Sequence, residues 1–162
     1  VGSPGLQDQF LAAHPPLDNA RRSGLRVVHA GEGVARGLGA AQHGVHLFGV
    51  RPYRELPAYV QAFDVGLIPY VLNRETIAVD PLKLLEYLAA GIPVVSTNLP
   101  EIRQRGEVVS IAGTRDEFVA AVRGALAHPR NTREERQALA REHGWDRRAQ
   151  QLLDIFDEVI AR

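Results

Sequence analysis

Short apolar runs that do not alternate with polar residues constrain this chain more than any other feature. Five of them occur, at 26–30 (RVVHA), 45–48 (VHLF), 65–68 (VGLI), 93–96 (PVVS) and 108–111 (VVSI), rich in Val and Ile. A strand with one wet face alternates, whereas unbroken runs of this length read as parallel strands covered on both faces. Helical segments lie between them. In 53–62 (YRELPAYVQA), Leu56, Tyr59, Val60 and Phe63 fall at helical spacing, with Pro57 in the first turn. Further helices are expected at 81–90 (PLKLLEYLAA) and 115–127 (RDEFVAAVRGALA), and two long amphipathic ones, at 132–143 and 146–161, close the chain with no strand between them.

Strands alternating with helices imply right-handed crossovers and an α/β fold with a doubly wound, mostly parallel, Rossmann-like sheet. Such sheets bind ligands at the carboxyl ends of their strands, near a switch point. The loops after Ala30, Phe48, Ile68 and Ser96 are therefore the places to seek a site. The 162 residues fit one domain. Lys plus Arg and Asp plus Glu both total 19, so net charge makes no case for nucleic acid as the main partner. No apolar run approaches the roughly 18 residues of a membrane span, and VGSPGLQDQF lacks the basic and apolar parts of a signal peptide. Without Cys there is no disulfide framework, and the expected location is cytoplasmic. A chain that starts at Val1 and has no Met is expected to be a fragment or a processed product.

The polar groups of AVDPLKLLEYLAAGIPVVST, 78–97, open two readings. Asp80 suits an N-cap and Pro81 the first helical position. Lys83 in that first turn is unfavourable for an isolated helix, but it suits an anion bound at the amides of Leu82, Lys83 and Leu84. Glu86 lies three residues on, on the same face, while Leu82, Leu85, Leu88 and Ala89 form the apolar face. The plainer reading is a solvent-exposed Lys83–Glu86 pair worth roughly 0.2–0.5 kcal/mol. Elsewhere, HAGEGVARGLG (29–39) has Arg36 where a dinucleotide fingerprint needs its third glycine, which leaves NAD a weak proposal. Loop 68–76 (IPYVLNRET) offers Tyr70, Asn73, Arg74 and Thr76, and loop 48–52 offers Arg51. The scattered His residues, with only His43 and His46 close, make no metal site.

The block RPYRELPAYVQAFDVGLIPYVLNRETIAVDPLKLLEYLAAGIPVVSTNLPEI, with REHGWDRRAQQLLDIF after it, resembles the C-terminal nucleotide-sugar-binding domain of GT-B-fold glycosyltransferases of group 1 (family 4-like). The resemblance runs from about residue 26 to the end and implies that 1–162 is one donor-binding half of a GT-B fold. Residues 1–25 then form a degenerate or incomplete first β-α unit. By this resemblance Glu86 takes the ribose hydroxyls, Pro81, Leu82 and Lys83 hold the diphosphate, and Val50, Arg51 and Pro52 meet the base. Tyr70, Asn73, Thr76 and Asp80 border the sugar.

The donor would be a UDP- or GDP-sugar, with no cofactor and no obligatory metal. The acceptor would be a glycan or lipid-linked glycan in polysaccharide or glycoconjugate synthesis. Catalytic residues would lie partly on an N-terminal acceptor domain, and the full-length enzyme could sit at the inner membrane face. The family's E-x7-E motif is incomplete here: Ala78 stands at its first Glu. That departure motivates an alternative, a non-catalytic nucleotide-binding or interaction module of the same fold.

Overall fold

The computed structural model describes residues 51–161. The expected strands at 26–30 and 45–48, the glycine-rich stretch at 29–39, residues 1–25 and Val50 lie outside the described residues. The other three apolar runs form one parallel sheet, in the order β1 (Gly66–Ile68), β2 (Val94–Thr97), β3 (Val109–Ala112). Gly66 stands opposite Val94 and Ile68 opposite Ser96; Val94 in turn faces Val109, and Thr97 faces Ala112.

The lack of alternation has a direct cause in the packing. Successive strand residues point to opposite faces, and here both faces are covered. Val94 joins a core with Ile68, Leu84, Tyr87, Leu88 and Val109 on one side. Its neighbour Val95 joins Val65 and Ala125 on the other, against Phe118, Ala121 and Val122. Helices α1 (Leu56–Gln61), α2 (Lys83–Ala89) and α5 (Arg133–Glu142) contribute to the first layer, and α4 (Arg115–Ala127) covers the second. A four-residue α3 (Pro100–Arg103) follows β2, and α6 (Trp145–Ile160) ends the chain. This is the Rossmann-like half of a GT-B fold that the sequence led us to expect.

The expected helix over 53–62 is in fact a 3-10 turn, Tyr53–Glu55, leading into α1. Pro57 explains the split, because it has no N–H to give back to the preceding turn. Shorter bonds close that turn instead, with Glu55 N donating to Pro52 O at 2.9 Å and Leu56 N to Tyr53 O. Helices α4 and α5 each start with a complete capping box, Thr114 with Glu117 and Thr132 with Glu135, which satisfies their first N–H groups.

Two expectations about α2 are corrected. Asp80 does not cap it: the carboxylate pairs with Arg105 at 3.1 Å, and Leu84 N donates to the Pro81 carbonyl at 2.9 Å, so a 3-10-like turn precedes the helix at Lys83. Nor does Leu82 belong to the buried face, since it is 73% exposed; the inward residues are Leu84, Tyr87, Leu88 and Ala89. The buried wedge over β1 is the Tyr87 ring. It needs Gly66 beneath it, because a Cβ there would lie 2.4 Å from Tyr87 Cδ2.

The other end of α2 is closed by α5. Gly91, at φ +73°, supplies the left-handed residue that ends the helix. Buried Arg136 donates from Nε to Gly91 O at 3.0 Å, and Gln137 Nε2 to Ala89 O at 3.0 Å. A cation belongs at this end of a helix, where the carbonyls are exposed and the dipole is negative.

Candidate functional site

The amino end of α2 and the loop after β1 meet at the carboxyl end of the parallel sheet. Thr97, the last residue of β2, ties the loop down by donating from Oγ1 to Tyr70 O at 2.8 Å. Tyr70 in turn places its ring beneath Lys83, whose Nζ lies 5.3 Å from the ring centroid. This is cation–π range. Glu86, one helical turn on, accepts a hydrogen bond at Oε1 from the Tyr53 hydroxyl, 2.9 Å away and 33 positions earlier in the chain.

Lys83 and Glu86 therefore do not form the i,i+3 ion pair that an isolated helix would favour; each is held by a tyrosine from a different loop. Both are half-buried. The tyrosine hydroxyls respond to this setting. Partial burial first, then the hydrogen bond and charge of Glu86, push the Tyr53 phenol well above its usual range. Burial, then the charges of Glu86 and Tyr70, does the same to Tyr87. Tyr53 thus stays protonated, and a donor, at any physiological pH.

The remaining expected residues are placed unequally. Asn73 and Thr76 fold their own loop: Asn73 Oδ1 accepts from Glu75 N and Thr76 N, both at 2.9 Å, and Thr76 Oγ1 accepts from Asn73 N at 2.9 Å while donating to Val71 O. Asp80, half-exposed, is engaged by Arg105, which also donates to Glu101 O. Ala78 ends an exposed 3-10 turn, Thr76–Ala78. Pro81 is buried and its carbonyl is used by Leu84 N, while the Leu82 and Lys83 N–H groups have no acceptor among the described residues. Arg51 and Pro52 are exposed, and the Arg51 guanidinium lies 5.6 Å from the Tyr59 ring centroid.

Sequence reasoning missed Tyr53 and Arg105, which reach the site only through the fold; the one hint was Tyr53's place beside the base-side loop. Among the described residues no group of three or more His, Cys, Asp or Glu is placed to hold a metal ion. No helix among them is long and apolar enough to cross a membrane.

A lysine and a glutamate on one helix, each held by a tyrosine, thus stand at the carboxyl end of a parallel sheet, the place where Rossmann-like α/β domains bind their ligands. The family described as "Glycosyl transferases group 1" matches residues 5–128. The chain belongs to this family of glycosyltransferases. It is also 53% identical, over 47 residues, to TuaH of Bacillus subtilis (strain 168), a protein provisionally named a teichuronic acid biosynthesis glycosyltransferase. That match takes in 29% of this chain and only 12% of the relative's length.

Proposed function

We propose that the chain is the donor-binding part of a glycosyltransferase and that it takes a nucleotide diphosphate sugar, a UDP- or GDP-sugar, at the amino end of α2. The observation that carries this reading is the pairing of Lys83 and Glu86, adjacent on one helix face yet each held by a tyrosine rather than by the other. Lys83, with the Leu82 and Lys83 amides of the turn opened by Pro81, would meet the diphosphate. Glu86 would accept from the ribose hydroxyls, and Val50, Arg51 and Pro52 would border the base.

In transfer, an acceptor hydroxyl oxygen forms a bond to the anomeric carbon, and the bond from that carbon to the diphosphate oxygen breaks, its electron pair leaving with the nucleotide. The acceptor proton passes to a base expected on an N-terminal acceptor domain. Lys83 stabilises the charge gathering on the leaving diphosphate, an electrostatic contribution that needs no obligatory metal. The acceptor would be a glycan or lipid-linked glycan, in line with the teichuronic acid biosynthesis in the relative's name. The apolar face of α6, where Trp145, Leu152, Leu153 and Phe156 are all more than half exposed, is the surface we expect the acceptor half to meet.

Isothermal titration of the whole chain with UDP and GDP tests the reading. One nucleotide should bind, and Lys83→Ala and Glu86→Ala should each weaken it; equal binding by wild type and both variants would refute the site. A second reading, a non-catalytic module of the same fold, is favoured by Ala78, because Asp80, a carboxylate that could replace the missing Glu, is tied to Arg105. Donor turnover on supplying an N-terminal acceptor domain would dismiss it.

A further inference from the structure

Tyr53 lies outside the residues that the family resemblance assigns, yet it makes the only side-chain hydrogen bond to Glu86 among the described residues. A glutamate three residues from a lysine on a helix normally relaxes toward it. If that happened here, the cation meant for phosphate and the carboxylate meant for a diol would neutralise each other. The structure prevents this with two tyrosines. Tyr70, anchored through its backbone by Thr97, holds the ammonium over its ring; Tyr53, in the turn that follows the base-side loop, holds the carboxylate by a hydrogen bond.

We infer that Tyr53 is a positioning residue for the ribose diol: its hydroxyl fixes Oε1 of Glu86, so that Oε2 and the second lone pair of Oε1 face the ligand already oriented. This rests on the donor-site reading above. A carboxylate has two oxygens and about four lone-pair sites, so one tyrosine bond leaves enough capacity for two ribose hydroxyls. A side chain held in its bound rotamer also loses less freedom on binding. Because Tyr53 directly follows Arg51 and Pro52, it connects the base-side loop to the ribose acid in one short turn.

The test is titration calorimetry of the whole chain with UDP or GDP, whichever binds, and with the 2′,3′-dideoxy form of the same nucleotide. Tyr53→Phe should weaken the ribonucleotide about 3- to 10-fold, the range for one lost hydrogen bond, and change the dideoxy form by less than roughly twofold. In a Glu86→Ala background, Tyr53→Phe should have no further effect on either ligand, because nothing is left to position. Tyr53 is an exposed residue in a surface turn, and a cooperative thermal transition close to that of wild type will show that the variant is folded.

A purely structural tyrosine would weaken both ligands alike, or weaken them in the Glu86→Ala background too; either result overturns the inference. If Glu86→Ala weakens the ribonucleotide and Tyr53→Phe does not, the donor site stands and the positioning role falls. If wild type binds neither UDP nor GDP, both readings fall.

Discussion

Replacing glycine by alanine should have opposite effects at two positions of this domain. At Gly66 the new methyl would lie 2.4, 2.7 and 2.9 Å from Cδ2, Cγ and Cε2 of Tyr87. The ring cannot swing away cheaply, because Tyr87 is only 2% exposed and packs edge-on to Phe63 at 6.4 Å between centroids. Either β1 or α2 must shift. Overpacking of this kind costs about 1–3 kcal/mol, which for a chain of this length lowers the melting temperature by about 2–12 °C.

At Gly124, inside α4, the same methyl meets nothing within 4 Å, so Gly124→Ala should stabilise by about 0.5–1 kcal/mol through helix propensity alone. Thermal and urea denaturation followed by circular dichroism will measure both. A Tyr87→Leu change should recover part of the Gly66→Ala loss if the ring is the obstacle. A neutral Gly66→Ala, or a Gly124→Ala as damaging as Gly66→Ala, would refute the packing of α2 on β1.

Other predictions follow from single contacts. Thr132→Ala removes the Oγ1 acceptor of the Glu135 amide and should cost about 0.5–2 kcal/mol in urea denaturation. Arg136→Met keeps the bulk but leaves the buried Gly91 carbonyl without its donor, an expected loss of about 1–3 kcal/mol by the same assay. Tyr53 and Tyr87 hold their protons more tightly in the folded state than the ordinary phenol value of about 10. The unfolded chain therefore releases them first, and stability from these groups is intact below about pH 10 and declines as pH rises beyond it. Urea midpoints measured across that range should fall; a rise with pH would contradict the shifts.

Much of the sheet was legible because its cause is local. Runs such as VGLI and PVVS must be buried on both faces, and β1, β2 and β3 fall within a residue or two of the expected limits. Helix α4 occupies the expected 115–127, and its Thr114–Glu117 box is written in adjacent residues. The four-residue α3 is too short to show a period. On α2 the leucine spacing pointed to a face through Leu82, whereas the helix begins only at Lys83 and turns Tyr87 inward, leaving Leu82 exposed.

At the site, Lys83 and Glu86 could be picked out because they sit in one motif. Their holders could not, since Tyr53 joins Glu86 across 33 positions and Arg105 joins Asp80 across 25. Loop 68–76 read as ligand-facing for its polar residues, yet Asn73 and Thr76 spend much of that capacity on backbone groups of the loop. Polar side chains in a loop serve the turn as readily as a ligand.

If Lys83 meets phosphate and Glu86 meets ribose, truncating the ligand will separate the two roles. Calorimetry should compare UDP with uridine, or GDP with guanosine, on wild type, Lys83→Met and Glu86→Ala. Lys83→Met should weaken the nucleotide about 10- to 150-fold, as expected for charge-assisted hydrogen bonds, and leave the nucleoside unchanged. Glu86→Ala should weaken both. If Lys83→Met weakened nucleoside and nucleotide equally, or if neither variant altered either ligand, the assignment would be wrong.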